Sequence, residues 1–168
     1  RGGGGRLELR EPTEADLELL SSPTLCTARG QLTAPHRHQS PVPVIEAFVR
    51  CYFGQVDPED LAERELADLY GAALSHWNFA RRREPGQPRV RVFNPSIAEH
   101  GWQSTHTIIE IVNDDMPFLV DSVTMEVNRH GLTLHLIIHP LVPVKRGADA
   151  TLEGLAEGAA AGRESFIH

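Results

Sequence analysis

The spacing of apolar positions changes along the chain, and each change marks a different element. Val44, Ile45, Phe48, Val49, Tyr52 and Phe53 recur at helical intervals, which predicts one apolar face over about two to three turns. Gly54 is placed to end that helix. Asp57-Pro58-Glu59-Asp60 then reads as a helix start, with Asp57 as cap, Pro58 in the first helical position and acidic residues at the positive end of the dipole. Ala62, Leu66, Leu69, Ala73 and Trp77, joined by Tyr70 and Leu74, form a single stripe. Arg81-Arg82-Arg83 follows where cations suit a helix C-terminus, and is expected to be solvated. Two packed helices are the expectation for this stretch.

After the Pro85-Gly86-Gln87-Pro88 loop the period falls from helical to alternating. Arg89 to Phe93 predicts a short strand that Asn94-Pro95 stops. Ser104 to Val112, rich in Thr and Ile, predicts a second. Asn113-Asp114-Asp115 supplies cap residues before a helix that carries Leu119, Val120, Val123 and Val127 on one side and closes at His130-Gly131. Leu132 to Val144 predicts a long strand whose second half, holding Pro140 and Pro143, suits an edge. Strand, helix and strand make a β–α–β crossover from Ser104 to Val144, expected to be right-handed. Gly147–Gly162 reads as a loop or weak helix, and Phe166-Ile167-His168 as the first residues of another strand.

The ends are poorer in apolar residues than the middle. Residues 1–40 read as a flexible or weakly ordered segment, apart from a possible short helix at Thr13–Leu20. The resulting division is 1–40, a helical segment at 41–88, and an α+β unit at 89–168. A net charge of -7 disfavours a nucleic-acid or anionic-membrane partner. Two cysteines, Cys26 and Cys51, make neither a disulfide framework nor a zinc knuckle, and Cys51 reads as a small buried hydrophobe. No apolar run approaches the ~18 residues of a membrane span. The start has neither an initiator Met nor a signal-type apolar segment. A cytoplasmic chain that begins inside a longer reading frame is the expectation.

Candidate chemistry is sparse. His36 and His38 flank Arg37 in a Pro-rich loop, and His135 and His139 lie about 13 Å apart along the expected strand at ~3.3 Å per residue. Neither pair has partners at metal-ligand spacing, so no metal site is expected. Ser122 follows Asp121 without a nucleophile elbow. There is no P-loop and no G-x-G-x-x-G turn. Asp114 and Asp115 could form a carboxylate pair, although capping explains them more simply. No catalytic residue is expected. The turn Asn113, Asp114, Asp115, Met116, Pro117, Phe118 and Leu119 would place free N–H groups at a helix N-terminus, able to hold a carboxylate or simply capped.

Gly101-Trp102-Gln103-Ser104-Thr105-His106-Thr107 and the string from Asn113-Asp114-Asp115-Met116-Pro117-Phe118-Leu119 through Val120-Asp121-Ser122-Val123 resemble the N-terminal region of the large, NAD-specific glutamate dehydrogenases of bacteria. The resemblance takes in Phe48 to Phe53, Ala72 to Trp77, Leu134 to Val144 and the Glu164–His168 ending. It implies helical segments followed by an ACT-like module of the ferredoxin-like βαββαβ type, associated with regulation and assembly. It also implies a parent polypeptide, expected to be a homo-oligomer, that deaminates glutamate to 2-oxoglutarate with NAD in a distant catalytic domain. None of that domain's motifs occurs here, so no cofactor is expected in this chain. Asn113–Leu119 matches the position at which such modules often bind an amino-acid effector. An independent amino-acid sensor and a purely structural interaction module are the competing readings. In ferredoxin-like order the third strand, here beginning near Ser165, lies between the first and second. The second helix and fourth strand are expected to be missing, which would leave apolar sheet edges exposed.

Overall fold

The computed structural model describes residues 41–156 and 162–168. The expected Thr13–Leu20 helix, Cys26, His36 and His38 lie outside the described residues. Helix α1 (Pro41–Phe53) ends where Gly54 is placed to end it, and the Asp57 side chain accepts from the Glu59 N–H at the start of α2 (Pro58–Ala62), with Pro58 in its first turn. The second expected helix is divided. Glu63 is the C-cap of α2, and α3 (Leu66–Ala80) starts afresh from Glu65. A continuous apolar stripe therefore does not ensure a continuous helix when charged residues such as Glu63-Arg64-Glu65 can end one turn and begin the next.

Among the described residues five strands form one antiparallel sheet: β1 (Arg89–Phe93), β2 (Ile108–Asp114), β3 (Leu141–Arg146), β4 (Leu152–Leu155) and β5 (Arg163–Ile167), in the order β1-β2-β5-β3-β4. The short α4 (Ile97–His100) lies between β1 and β2, and α5 (Leu119–Arg129) between β2 and β3. Because β2 and β3 each run antiparallel to β5, they are parallel to one another, as the crossover requires. The strand beginning near Ser165 does lie between them. The fourth-strand position is filled from an unexpected direction. β1, which precedes the crossover, pairs antiparallel with the outer side of β2, from Arg89↔Val112 to Phe93↔Ile108. Its Val90 and Val92 are 58% and 61% exposed, so the apolar exposure expected at the sheet edge falls there.

Three expected boundaries move. Strand β2 begins at Ile108, because pairing with β1 stops there and Thr107 Oγ1 donates to Asn94 Oδ1 instead. It extends through Asn113 and Asp114, which pair with Ser165 and Glu164. The long strand expected from Leu132 shrinks to Leu141–Arg146. Upstream of it, β5 reaches no further than the reciprocal backbone bonds between Ile138 and His168. Gly147–Gly162, expected as loop or weak helix, contains β4, which forms a hairpin with β3; residues 157–161 lie outside the described set.

Register puts Arg91, Glu110, Val112, Glu164, Phe166 and Val142 on one face of the sheet, since each stands opposite another of the set or two residues from one. Against that face pack α1 and α3. Phe48, Tyr52, Trp77, Val112, Val142 and Phe166 belong to one buried cluster. On the opposite side Val123 and Val127 of α5, with Ile109 and Ile167, line a cleft of about 1000 Å³. Among the described residues no helix is long and apolar enough to cross a membrane.

Trp102 is seated by two glycines. Gly101 caps α4 with φ of 74°, a conformation a side chain resists. Gly71 of α3 has no room for one, because an added Cβ would stand 2.4 Å from Trp102 Cβ. Gly71→Ala is expected to destabilise the chain by about 1–3 kcal/mol through overpacking. A thermal melt checks this, and an unchanged melting temperature would mean that α3 and Trp102 are not held together as described.

Candidate functional site

The Asn113–Leu119 turn is divided between two elements. Asn113 and Asp114 finish β2, Asp115 to Phe118 are exposed, and Leu119 opens α5. Capping does not explain the aspartates. The N-cap residue is Phe118, at φ 64°, and no side chain caps the helix. Asp114 Oδ1 instead accepts from Arg83 Nη2 at 2.5 Å and Oδ2 from the Gly86 N–H at 2.8 Å. The hydrogen bond from Arg83 is the chief reason its carboxyl is held below the usual range. The Arg83 guanidinium thus balances the Asp114 charge, while Asp115 stays exposed. Asp115 donates its backbone N–H to Arg163 O, and Asn113 Nδ2 lies 3.4 Å from Met116 Sδ.

Arg83 is a correction to the expectation of a solvated run. Its side chain is 2% exposed and also donates to Glu164 Oε1 at 2.7 Å. Arg146 grips the same carboxylate with Nε at 2.6 Å and Nη2 at 2.7 Å, and donates to Ala80 O and Ala150 O. Burial would raise the Glu164 pKa, but the hydrogen bonds from Arg146 and Arg83 outweigh it and hold it low. The end of α3, β2, β3 and β5 are thereby tied at one buried carboxylate.

A second polar centre lies under α1 and α3. Glu110, fully buried in the middle of β2, accepts at Oε2 from Arg91 Nε at 2.7 Å. Arg91 Nη2 donates to Ser75 Oγ at 2.7 Å and Ser75 O at 3.1 Å. His76 is held between Tyr52 Oη, 2.9 Å from Nδ1, and Ile111 O, 3.2 Å from Nε2. His168 Nδ1 lies 3.9 Å from Glu110 Oε1, and neither atom has a hydrogen-bond partner. Burial pushes Glu110 up to about 7, with Arg91 opposing, and pushes His168 down to about 4, helped by Arg64 and Arg91. His76, Glu110 and His168 bring ligand atoms within 4.8 Å of one another. That set suits a cation poorly, because both His76 nitrogens are engaged and the Arg91 guanidinium already balances Glu110.

Sequence reasoning passed over this centre. The legible signal was Glu110 itself, a charged residue inside Ile108-Ile109-Glu110-Ile111-Val112, which a buried strand tolerates only when paired. Of the histidines singled out, His135 and His139 go elsewhere. His135 packs against His106, with ring centroids 4.3 Å apart and the planes tilted by 52°, and His139 Nε2 meets Ser165 Oγ at 3.2 Å. The turn from β2 into α5 is Asp115-Met116-Pro117-Phe118, without the glycines that let a pyrophosphate approach.

Comparison with known proteins adds sequence relationships. The family described as the ACT1 domain of glutamate dehydrogenase matches residues 48–168. The chain is 46% identical over 127 residues to the NAD-specific glutamate dehydrogenase of Halomonas elongata, an alignment covering 73% of this chain and 8% of that protein. It is 38% identical over 131 residues to the NAD-specific glutamate dehydrogenase of Pseudomonas aeruginosa, covering 78% of this chain and 8% of that one. The chain thus spans under a tenth of the length of these relatives. No solved structure matches it.

Proposed function

The chain belongs to the glutamate dehydrogenase ACT1 domain family, and from that membership we propose that it is a regulatory and assembly module of an NAD-dependent glutamate dehydrogenase, inactive alone. The parent reaction is oxidative deamination of L-glutamate to 2-oxoglutarate, with NAD bound in the remainder of a cytoplasmic, homo-oligomeric polypeptide. The match across residues 48–168 carries this reading. The absence of a nucleophile elbow, P-loop or dinucleotide turn from the sequence agrees with it. The expected outcome is no glutamate-dependent NAD reduction by the 168-residue chain, and altered activation or subunit assembly when the matching region is deleted from the parent. Unchanged kinetics and unchanged oligomeric mass after that deletion would overturn it.

An amino-acid effector at Asn113–Leu119 is the second reading. Its support is the α5 N-terminus, which no side chain caps, beside an Asp114 already neutralised by Arg83. Titration calorimetry of the full chain against the twenty amino acids should find one that binds, with affinity reduced at least tenfold by Phe118→Pro. A flat panel would leave a structural interaction module.

A further inference from the structure

The second polar centre contains two buried atoms of complementary type facing each other without a bond. Glu110 Oε2 is fully engaged by Arg91, while Oε1 has no partner; 3.9 Å away, His168 Nδ1 has none either. Leaving two such groups unpaired costs free energy unless a state exists in which they meet. With the one proton of the neutral His168 ring on Nε2, Nδ1 is an acceptor, and an ionised carboxylate then cannot bond it, because no proton lies between the two. A proton on Oε1 makes the carboxyl a donor to Nδ1. We propose that Glu110 is a proton-operated partner switch: ionised, it is held by Arg91, and protonated, it closes on His168 and donates from Oε1 to Nδ1.

The surroundings favour placing the proton on Glu110 rather than on His168. Arg91 of β1 and Arg64, between α2 and α3, both set positive charge against an imidazolium, and the site is buried. His76 of α3 and Tyr52 of α1, the other titratable groups of the centre, are bonded to each other and kept neutral by burial. Burial raises Glu110 to about 7 despite Arg91, so the exchange falls near neutral pH. Each partner leads to a different part of the fold. Arg91 connects Glu110 to Ser75 on α3, whereas His168 is joined to Ile138 by reciprocal backbone bonds of 2.9 Å. Loss of the proton therefore releases the β5 end and strengthens the tie to α3.

Global stability is nearly blind to this exchange on its acid side. Glu110 rises from 4.5 unfolded to about 7 folded, so it lowers stability as pH climbs across that window. His168 falls from 6.5 to about 4, so it raises stability across an overlapping one. A site-specific readout is needed. In the 168-residue chain, carbon-13 NMR should show the Glu110 carboxyl titrating near 7 with no His168 protonation between pH of about 5 and 8.5. Amide protection at Ile138 and His168, corrected for intrinsic exchange, should be about fivefold higher below that midpoint. Glu110→Gln, which can donate at every pH, should hold the protection high and constant. His168→Phe, which keeps the burial without the acceptor, should remove the protection step and serves if Glu110→Gln does not fold. A Glu110 midpoint below about 5 overturns the switch, as does protection that is equal on both sides of a neutral midpoint.

Discussion

Glu164→Ala is expected to cost about 3–5 kcal/mol, because it leaves two arginines without their shared carboxylate in a buried site. Arg83 and Glu164 are 2% and 5% exposed, and Arg146 contributes two of the three short bonds to the carboxylate, so solvent does little to screen the loss. Domains of this size are stable by about 5–15 kcal/mol, which makes the loss a large share of the total. Urea denaturation followed by circular dichroism measures it. The companion Arg83→Met/Arg146→Met/Glu164→Leu variant should recover most of the loss, since a buried ion network replaced whole by apolar groups is often neutral. A Glu164→Ala cost under about 1 kcal/mol would mean that the site admits water and behaves as a surface pair. The pH dependence has a definite sign. Glu164 and Asp114 both have depressed folded-state pKa values, so their stabilisation is present above the unfolded values of 4.5 and 3.8 and is lost as pH falls through the folded ones. Glu164→Ala should flatten that acid limb.

This network separates what the sequence made legible from what it did not. Local signals worked where the cause is local. Asp57-Pro58 starts a helix because its own carboxylate meets an N–H two residues on, and His130-Gly131 ends one because glycine tolerates φ of 69°. Alternation located Arg89–Phe93 without error, since period two needs no partner to be read. Strand limits failed where the partner decides them. Leu132–Ile138 is as apolar as any strand, yet β5 meets the chain mainly from Leu141 onward. Arg83 looked solvated because its two acidic partners are 31 and 81 residues away. Nothing within a turn of it indicates that it is buried.

The same physics explains the filled fourth-strand position. Arg89–Phe93 was legible as a strand, but its place beside β2 follows from pairing across a connection of more than a dozen residues. The candidate turn was legible in part. Asn113–Leu119 does join a strand to a helix, but Asp114 was assigned to the helix it precedes rather than to the sheet it finishes. The buried centre at Glu110 combines both problems. Its anomaly was visible in the strand, while its partners come from α1, α3, β1 and the end of β5.

Whether helices and sheet behave as one unit is decided at Phe48. Its ring is fully buried, and its centroid lies 5.3 Å from Tyr52, 4.8 Å from Trp77 and 5.5 Å from Phe166, so it touches α1, α3 and β5 at once. Phe48→Ala removes the ring from all three and should cost about 3–5 kcal/mol, part transfer and part cavity. A helical segment at 41–88 folding apart from 89–168 would confine that cost to the helices. A shared core would spread it to the sheet. The expected result is a lowered urea midpoint that is identical by the fluorescence of Trp77 and Trp102 and by amide exchange at Val112 and Phe166. Those two residues face each other across β2 and β5 and belong to the same buried cluster as Phe48, so their protection cannot survive if the core is common. Sheet protection that persists after the helices have melted would establish two cooperative units, and would place their boundary near Arg89.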